Sequence, residues 1–252
     1  MSDLQNTSTS SDNEDVVLRR LAVTAMGLTG SDIQRLVKEA RQKARRAGRQ
    51  LGFADLEDAI RQGLPLLSPE VRWRISIHEA GHAIAWTVTG AGRVLRLTTG
   101  QVGGGQTEYY PDSFRVEDES LFSDTLCCHL AGRAAESVIL GDVFAGSGGG
   151  PESDLAKATI QSLKMESEWG MSKQTPLLYL PSTHIAQDLR LDPALAQRVN
   201  ERLEDAYDRA KKMMNFQRKA LLALAQELNA HSVLEVAEID IILATHLTKP
   251  SP

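Results

Sequence analysis

The stretch Ile77-His78-Glu79-Ala80-Gly81-His82 decides how this chain is read. It contains H-E-x-x-H. On a helix, histidines four apart lie on one face a turn apart, so both imidazoles can reach one Zn²⁺ ion. Glu79 points to the side, within reach of a water at that metal, and can accept its proton. The flanking residues supply the helix. Ser68-Pro69-Glu70 gives a serine N-cap, a proline at the first helical position and an acid in the first turn, and Gly90 closes the helix. Val71, Ile75, Ile77, Ile84, Ala85 and Val88 lie nearly all round it, which predicts a buried helix. Histidines there need polar partners or a metal, because an unpaired polar group in apolar surroundings costs roughly 2–7 kcal/mol.

The chain has 252 residues, 42% of them hydrophobic and 24% charged, enough for one large domain or two small ones. Its net charge of −5 argues against nucleic acid as the main partner. The charge is uneven. Val16 to Arg61 holds ten Lys/Arg against five Asp/Glu, whereas the chain from Gln62 onward holds eighteen against twenty-four. No aromatics interleave the basic run Arg41, Lys43, Arg45, Arg46, Arg49, so it reads as a solvated helix face. The two cysteines, Cys127 and Cys128, are neighbours and make neither a disulfide framework nor a C-x-x-C pair, which fits a reducing compartment. No apolar run reaches the eighteen or so residues that span a bilayer, and Met1 to Asp15 is no secretory signal. A cytoplasmic location is expected.

Residues 1–14, rich in Ser, Thr, Asn and Asp, are expected to be a disordered tail. Residues 15–63 read as a small all-helical module. A first helix runs through Val16 to Met26, and a second is capped by Thr29-Gly30-Ser31-Asp32 and ended by Gly48. A third covers Phe53 to Ile60. Residues 64–249 form the remaining domain, mainly α with a small β element. Val94 to Thr99 and Gln106 to Tyr110 read as strands around Gly103-Gly104-Gly105. Helices are expected over Ser120 to Leu140, over Ser153 to Trp169, and from Asp192-Pro193 through Leu228 with a break near Asn215.

A catalytic zinc needs a third protein ligand. His129 sits beside the cysteines, and His184, His231 and His246 come late in the chain, so the histidines are poor candidates. A cluster of Cys127, Cys128 and His129 would be cramped, since neighbouring helix positions do not share a face. Two acids remain: Glu136, on a following helix, and Asp154, at a helix N-terminus after the run Gly146 to Pro151.

HEAGH is followed in order by Leu130-Ala-Gly-Arg-Ala-Ala-Glu136, by Gly148-Gly-Gly-Pro-Glu-Ser-Asp154-Leu-Ala-Lys-Ala-Thr159 and by Glu168-Trp-Gly-Met-Ser172. This series resembles the FtsH-type AAA metalloprotease family over about Leu67 to Leu247. The segment Met26 to Ala40 is similar to the small helical lid of that family's ATPase. The resemblance implies an FtsH-like zinc peptidase domain preceded by an AAA+ lid. It implies zinc held by His78, His82 and Asp154, Glu79 as catalytic base, and Glu136 as the partner that fixes a ligand histidine. It also implies polypeptide substrates, a role in protein quality control and a six-fold ring of copies. The family's phosphate loop, G-x-x-x-x-G-K-[ST], does not occur in this sequence. Alone, the chain is therefore expected neither to hydrolyse ATP nor to unfold proteins, and a separate AAA ATPase becomes a candidate partner. The expected activity is a zinc metalloendopeptidase acting on flexible chains, with the strand from Val94 to Thr99 adding substrate as a further strand. The alternative is a catalytically silent adaptor or binding module that docks an ATPase through the basic lid.

Overall fold

Thr29 and Asp32 exchange side-chain and backbone hydrogen bonds in a capping box that starts α1 (Gly30–Arg46). The structure, a computed structural model, describes residues 17–18, 21–22, 24–25, 28–63, 67–100, 104–181 and 184–248. The expected tail lies outside these residues, and so does part of the expected first helix. The apolar face of α1 meets α2 (Phe53–Gly63) through Leu36 and Ile60, with Leu21 and Ala25 beside them. This small core is separate from the main one.

The main core is built around α3 (Pro69–Thr89), which carries the H-E-x-x-H residues. Ser68 Oγ accepts from the Val71 amide and Gly90 ends the helix at φ 65°, both as the sequence indicates. Every residue from Ser76 to Trp86 is buried except His78, which is half-buried. Against α3 pack β1 (Gly92–Thr98) of a small sheet, α4 (Glu119–Leu140) and α8 (Arg218–His231). The sheet has the order β2-β1-β3, all antiparallel, with β2 spanning Gln106–Pro111 and β3 spanning Val233–Glu235. Ile77, Ile84, Leu97, Leu221, Leu224, Leu228 and Leu234 fill the space between these layers. A second cluster, Leu126, Leu130, Ala158, Met165 and Ala206, joins α4 to α5 (Asp154–Ser167) and α7 (Pro193–Phe216). Between those two helices lies the short α6 (Ile185–Leu191).

Two sequence expectations change, while the break expected near Asn215 is found close by. The β1 strand is central, with Arg96 to Thr98 paired on both sides, so Val94 to Thr99 has no free edge there for a substrate strand; β2 is the edge. The long C-terminal helix breaks at Gln217, whose buried side chain both donates to and accepts from the Thr248 backbone. Beyond it the sequence reading missed β3 and α9 (Val236–His246). Ser232, in the left-handed region at φ 64°, turns the chain from α8 into β3.

The crossing of α3 and α4 is unusually close. A Cβ on Gly81 would lie 2.6 Å from the Ala135 methyl and 2.7 Å from the Ala131 carbonyl oxygen. Gly81→Ala therefore forces the helices apart. Overpacking costs about 1–3 kcal/mol, against about 1 kcal/mol gained in helix propensity. We predict a net loss of up to about 2 kcal/mol in urea denaturation. Unchanged or raised stability would contradict the crossing.

Candidate metal centre

Each histidine of α3 has one ring nitrogen committed to the protein. His82 Nδ1 lies 2.8 Å from the Cys128 carbonyl oxygen, which only accepts, so this nitrogen carries the proton. His78 Nδ1 lies 2.6 Å from Glu136 Oε1. The other Glu136 oxygen accepts the Phe144 amide at 2.7 Å, so both oxygens of this buried carboxylate are used. Gly132 permits the arrangement, since a Cβ there would run into the His78 ring.

In the neutral tautomers that a cation would select, with Nδ1 protonated on both rings, both Nε2 atoms present lone pairs. They face each other at 3.0 Å. Asp154 Oδ2 completes the triangle at 3.0 Å from His78 Nε2 and 3.3 Å from His82 Nε2. Asp154 is the first residue of α5, behind the N-cap Ser153, whose hydroxyl oxygen accepts the Ala156 amide. Three acceptors this close repel one another unless something positive sits among them. Tetrahedral zinc with bonds of about 2.1 Å sets its ligand atoms about 3.4 Å apart, close to the separations found.

The electrostatics ask for the same thing. Glu79 is 5% and Glu136 2% exposed, and no Lys or Arg among the described residues pairs with either acid or with Asp154. Burial pulls the His78 imidazole down, but hydrogen bonds with Asp154 and Glu136 outweigh it and lift it to about 10. For Asp154 burial raises the carboxyl, and hydrogen bonds with the two histidines hold it well below the usual carboxylate range. These groups fit a divalent cation.

Glu79 leaves the same helix on the side facing β2. Thr107 Oγ1 donates to Glu79 Oε2 at 2.7 Å. Gly105 leaves room, since a Cβ there would lie 2.6 Å from Glu79 Cγ. His78, Glu79, His82, Glu136 and Asp154 all line one cleft of about 590 Å³. All five residues singled out in the sequence thus come together, Glu136 through the ring of His78.

The sequence reading set His129 aside, yet it lines the cleft as well, with Trp86, Tyr109 and Lys157. Its ring stands edge-on to Trp86 at 6.1 Å, and Trp86 stacks on Tyr109 at 3.8 Å. Burial, with help from His82 and Lys157, pushes its pKa down to about 4, so it is neutral near pH 7. The buried Cys127 and Cys128 hold no metal cluster among the described residues. His231 and His246 line a different groove, between α8 and α9.

Comparison with known proteins agrees with this geometry. The sequence model of peptidase family M41 matches residues 65–242. The ATP-dependent zinc metalloprotease FtsH of Thermotoga maritima is 30% identical over 94% of this chain and 42% of its own length. FtsH 2 of Symbiobacterium thermophilum is 31% identical over 90% of the chain and 41% of its own length. A component of the mitochondrial inner membrane m-AAA protease of Schizosaccharomyces pombe is 29% identical over 92% of the chain and 32% of its own length. The chain thus spans well under half the length of these three relatives. Among the described residues no helix is long and apolar enough to cross a membrane. The helix that presents the two histidines, the second helix that braces them and the family match over the same residues lead to one conclusion: this chain contains an FtsH-type peptidase domain and belongs to peptidase family M41.

Proposed function

We propose that this chain is a zinc endopeptidase that cuts unfolded or flexible polypeptide, with His78, His82 and Asp154 as the metal ligands. The observation that carries the proposal is the convergence of their three metal-facing atoms, 3.0 to 3.3 Å apart, with no Lys or Arg of the described residues paired to Asp154. When bound there, zinc would polarise the scissile carbonyl and lower the pKa of water towards about 7. Glu79 is the general base. Thr107 holds its Oε2, which leaves Oε1 to take the proton of the attacking water. As the new C–O bond forms and the C–N bond breaks, Glu79 returns that proton to the leaving amine. Glu136 and the Cys128 carbonyl keep both imidazoles turned towards the metal. The edge strand β2 borders the cleft through Gln106, Thr107 and Tyr109 and offers its outer edge to an extended substrate. Main-chain pairing of that kind carries little sequence specificity.

The relatives' names describe ATP-dependent enzymes, and this sequence holds no phosphate loop. Unfolding therefore depends on an AAA ATPase beyond these residues, and the α1–α2 module, residues 15–63 in the sequence reading, is its lid-like docking element. A role in protein quality control and a six-fold ring follow from the same reading. Leu221, Leu224 and Leu228 are fully buried within the domain, so ring contacts would have to come from elsewhere. The exposed Leu177, Tyr179 and Leu180 offer apolar surface for them.

Purified protein should carry about one zinc per chain, with none left in His78→Ala, His82→Ala or Asp154→Asn. Glu136→Gln should bind zinc about 10- to 100-fold more weakly. A protein that stays metal-free after refolding with excess zinc would sink the reading, and zinc retained at full strength by Asp154→Asn would remove Asp154 from the ligand set.

Glu79→Gln should keep its zinc and lose about 10²- to 10⁴-fold in cleavage of an unfolded casein-type substrate. Wild-type cleavage by that variant would exclude Glu79 as the base. A zinc-loaded wild type that cuts nothing would favour the silent adaptor. The chain alone should spare stably folded proteins, with or without nucleotide.

A further inference from the structure

The cleft runs along α3, and the metal centre divides it. Towards the start of the helix its wall is mainly apolar, with Val71, Ile75 and Phe144 beside Arg74. One turn beyond His82 the lining changes to Trp86, Tyr109, His129 and Lys157. Trp86, 3% exposed, stacks on Tyr109 at 3.8 Å and 20° between planes and backs it, so Tyr109 is the more accessible ring of this aromatic floor. His129 stands at 89° to Trp86, as a side wall.

The imidazole and the ammonium of this compartment are free. Among the described residues neither ring nitrogen of His129 has a hydrogen-bond partner, and Lys157 makes no ion pair, although both line the cleft. Several charged groups elsewhere in the cleft are held by partners, although Glu152 has none among the described residues. Arg74 is bound to Asp142, Glu79 to Thr107, Glu136 to His78 and Phe144, and Asp154 to the two histidines. A neutral imidazole contributes one N–H donor and an ammonium contributes three, with no carboxylate of the protein claiming either. A flat aromatic surface beside two such groups suits a side chain with an apolar stem and an anionic tip.

We propose that Trp86, Tyr109, His129 and Lys157 form a specificity subsite for an acidic side chain of the substrate, a glutamate or aspartate next to the scissile bond. The stem lies along the aromatic floor, Lys157 pairs with the carboxylate, and His129 donates to it. Selection at this subsite is added to the main-chain pairing along β2, which is blind to side chains. The inference rests on the endopeptidase reading, and its test separates the two.

The full chain carrying Glu79→Gln, loaded with zinc, allows binding to be measured without turnover. Fluorescent peptides with a single Glu moved through successive positions are compared by anisotropy with matched Gln peptides. We expect one position at which Glu binds about fivefold more tightly than Gln, the advantage of one partly exposed ion pair. Adding Lys157→Gln, an exposed and therefore tolerant change, should bring that ratio close to one, while His129→Gln should reduce it. Zinc content should stay unchanged in both, since neither residue is a ligand. Equal binding of Glu and Gln peptides at every position would overturn the subsite and leave the endopeptidase reading standing. So would a preference that survives in folded Lys157→Gln. If no peptide binds at all, the endopeptidase reading fails and the subsite with it.

Discussion

Everything at the metal centre depends on how closely two helices cross. Gly81 of α3 sits against Ala131 and Ala135 of α4, and Gly132 of α4 sits beneath the His78 ring. Small residues on both sides let the backbones approach, and the approach puts the partners of the imidazoles in place. The Cys128 carbonyl reaches His82 Nδ1 and the Glu136 carboxylate reaches His78 Nδ1. A larger side chain at the crossing would move α4 outward and loosen both bonds at once. The crossing is held by apolar packing on its far side, where Ile77, Ile84, Leu221, Leu224 and Leu228 are fully buried. A polar site is thus positioned by the hydrophobic core behind it, to which Cys128 belongs.

The same crossing gathers buried charge. Glu79 and Glu136 are buried, Asp154 is partly so, and the groups nearest them are imidazoles, a hydroxyl and a backbone amide. Buried carboxylates without a counter-charge are costly, and their hydrogen bonds to His78, which lift its pKa to about 10, supply one by keeping the ring protonated. A divalent cation is another, and it would neutralise Asp154 while drawing on both Nε2 lone pairs. Metal binding and stability of this part of the fold are therefore coupled. Filling the site offsets a burial cost that the helices otherwise bear in full.

How much of this was legible in the sequence follows from the range of each signal. The ends of α3 were readable because a serine cap, a proline and a terminal glycine act within one turn. The five residues of the centre were readable in part from H-E-x-x-H, whose spacing is a helical geometry. Spacing alone left Glu136 and Asp154 as equal candidates for the third ligand. The resemblance assigned the ligand role to Asp154, and in three dimensions Glu136 reaches Nδ1 of His78 while Asp154 reaches Nε2 of both rings. The place of His129 was hidden because its neighbours Trp86, Tyr109 and Lys157 come from three other elements. The β3 strand was missed because three residues are too few to establish an alternation.

The small sheet shows why the strand nearest the centre was assigned the wrong role. In a regular strand, residues two apart share a face. In β1, Val94 and Leu97 are both buried although they are three apart. An irregularity between Val94 and Arg96 accounts for this: Val94 pairs with Tyr109, Arg96 with Glu108 and Leu97 with Thr107. One strand gains a residue on the other, as a β-bulge does. On β2 the regular period survives, so Thr107 and Tyr109 share the inner face, one holding Glu79 and the other stacking on Trp86. The bulge thus lets β1 fill the core in its own register while β2 sets two side chains along the cleft. A slip of one residue would turn both away. The strand with the stronger apolar signal serves the core, and the more polar strand beside it reaches the cleft.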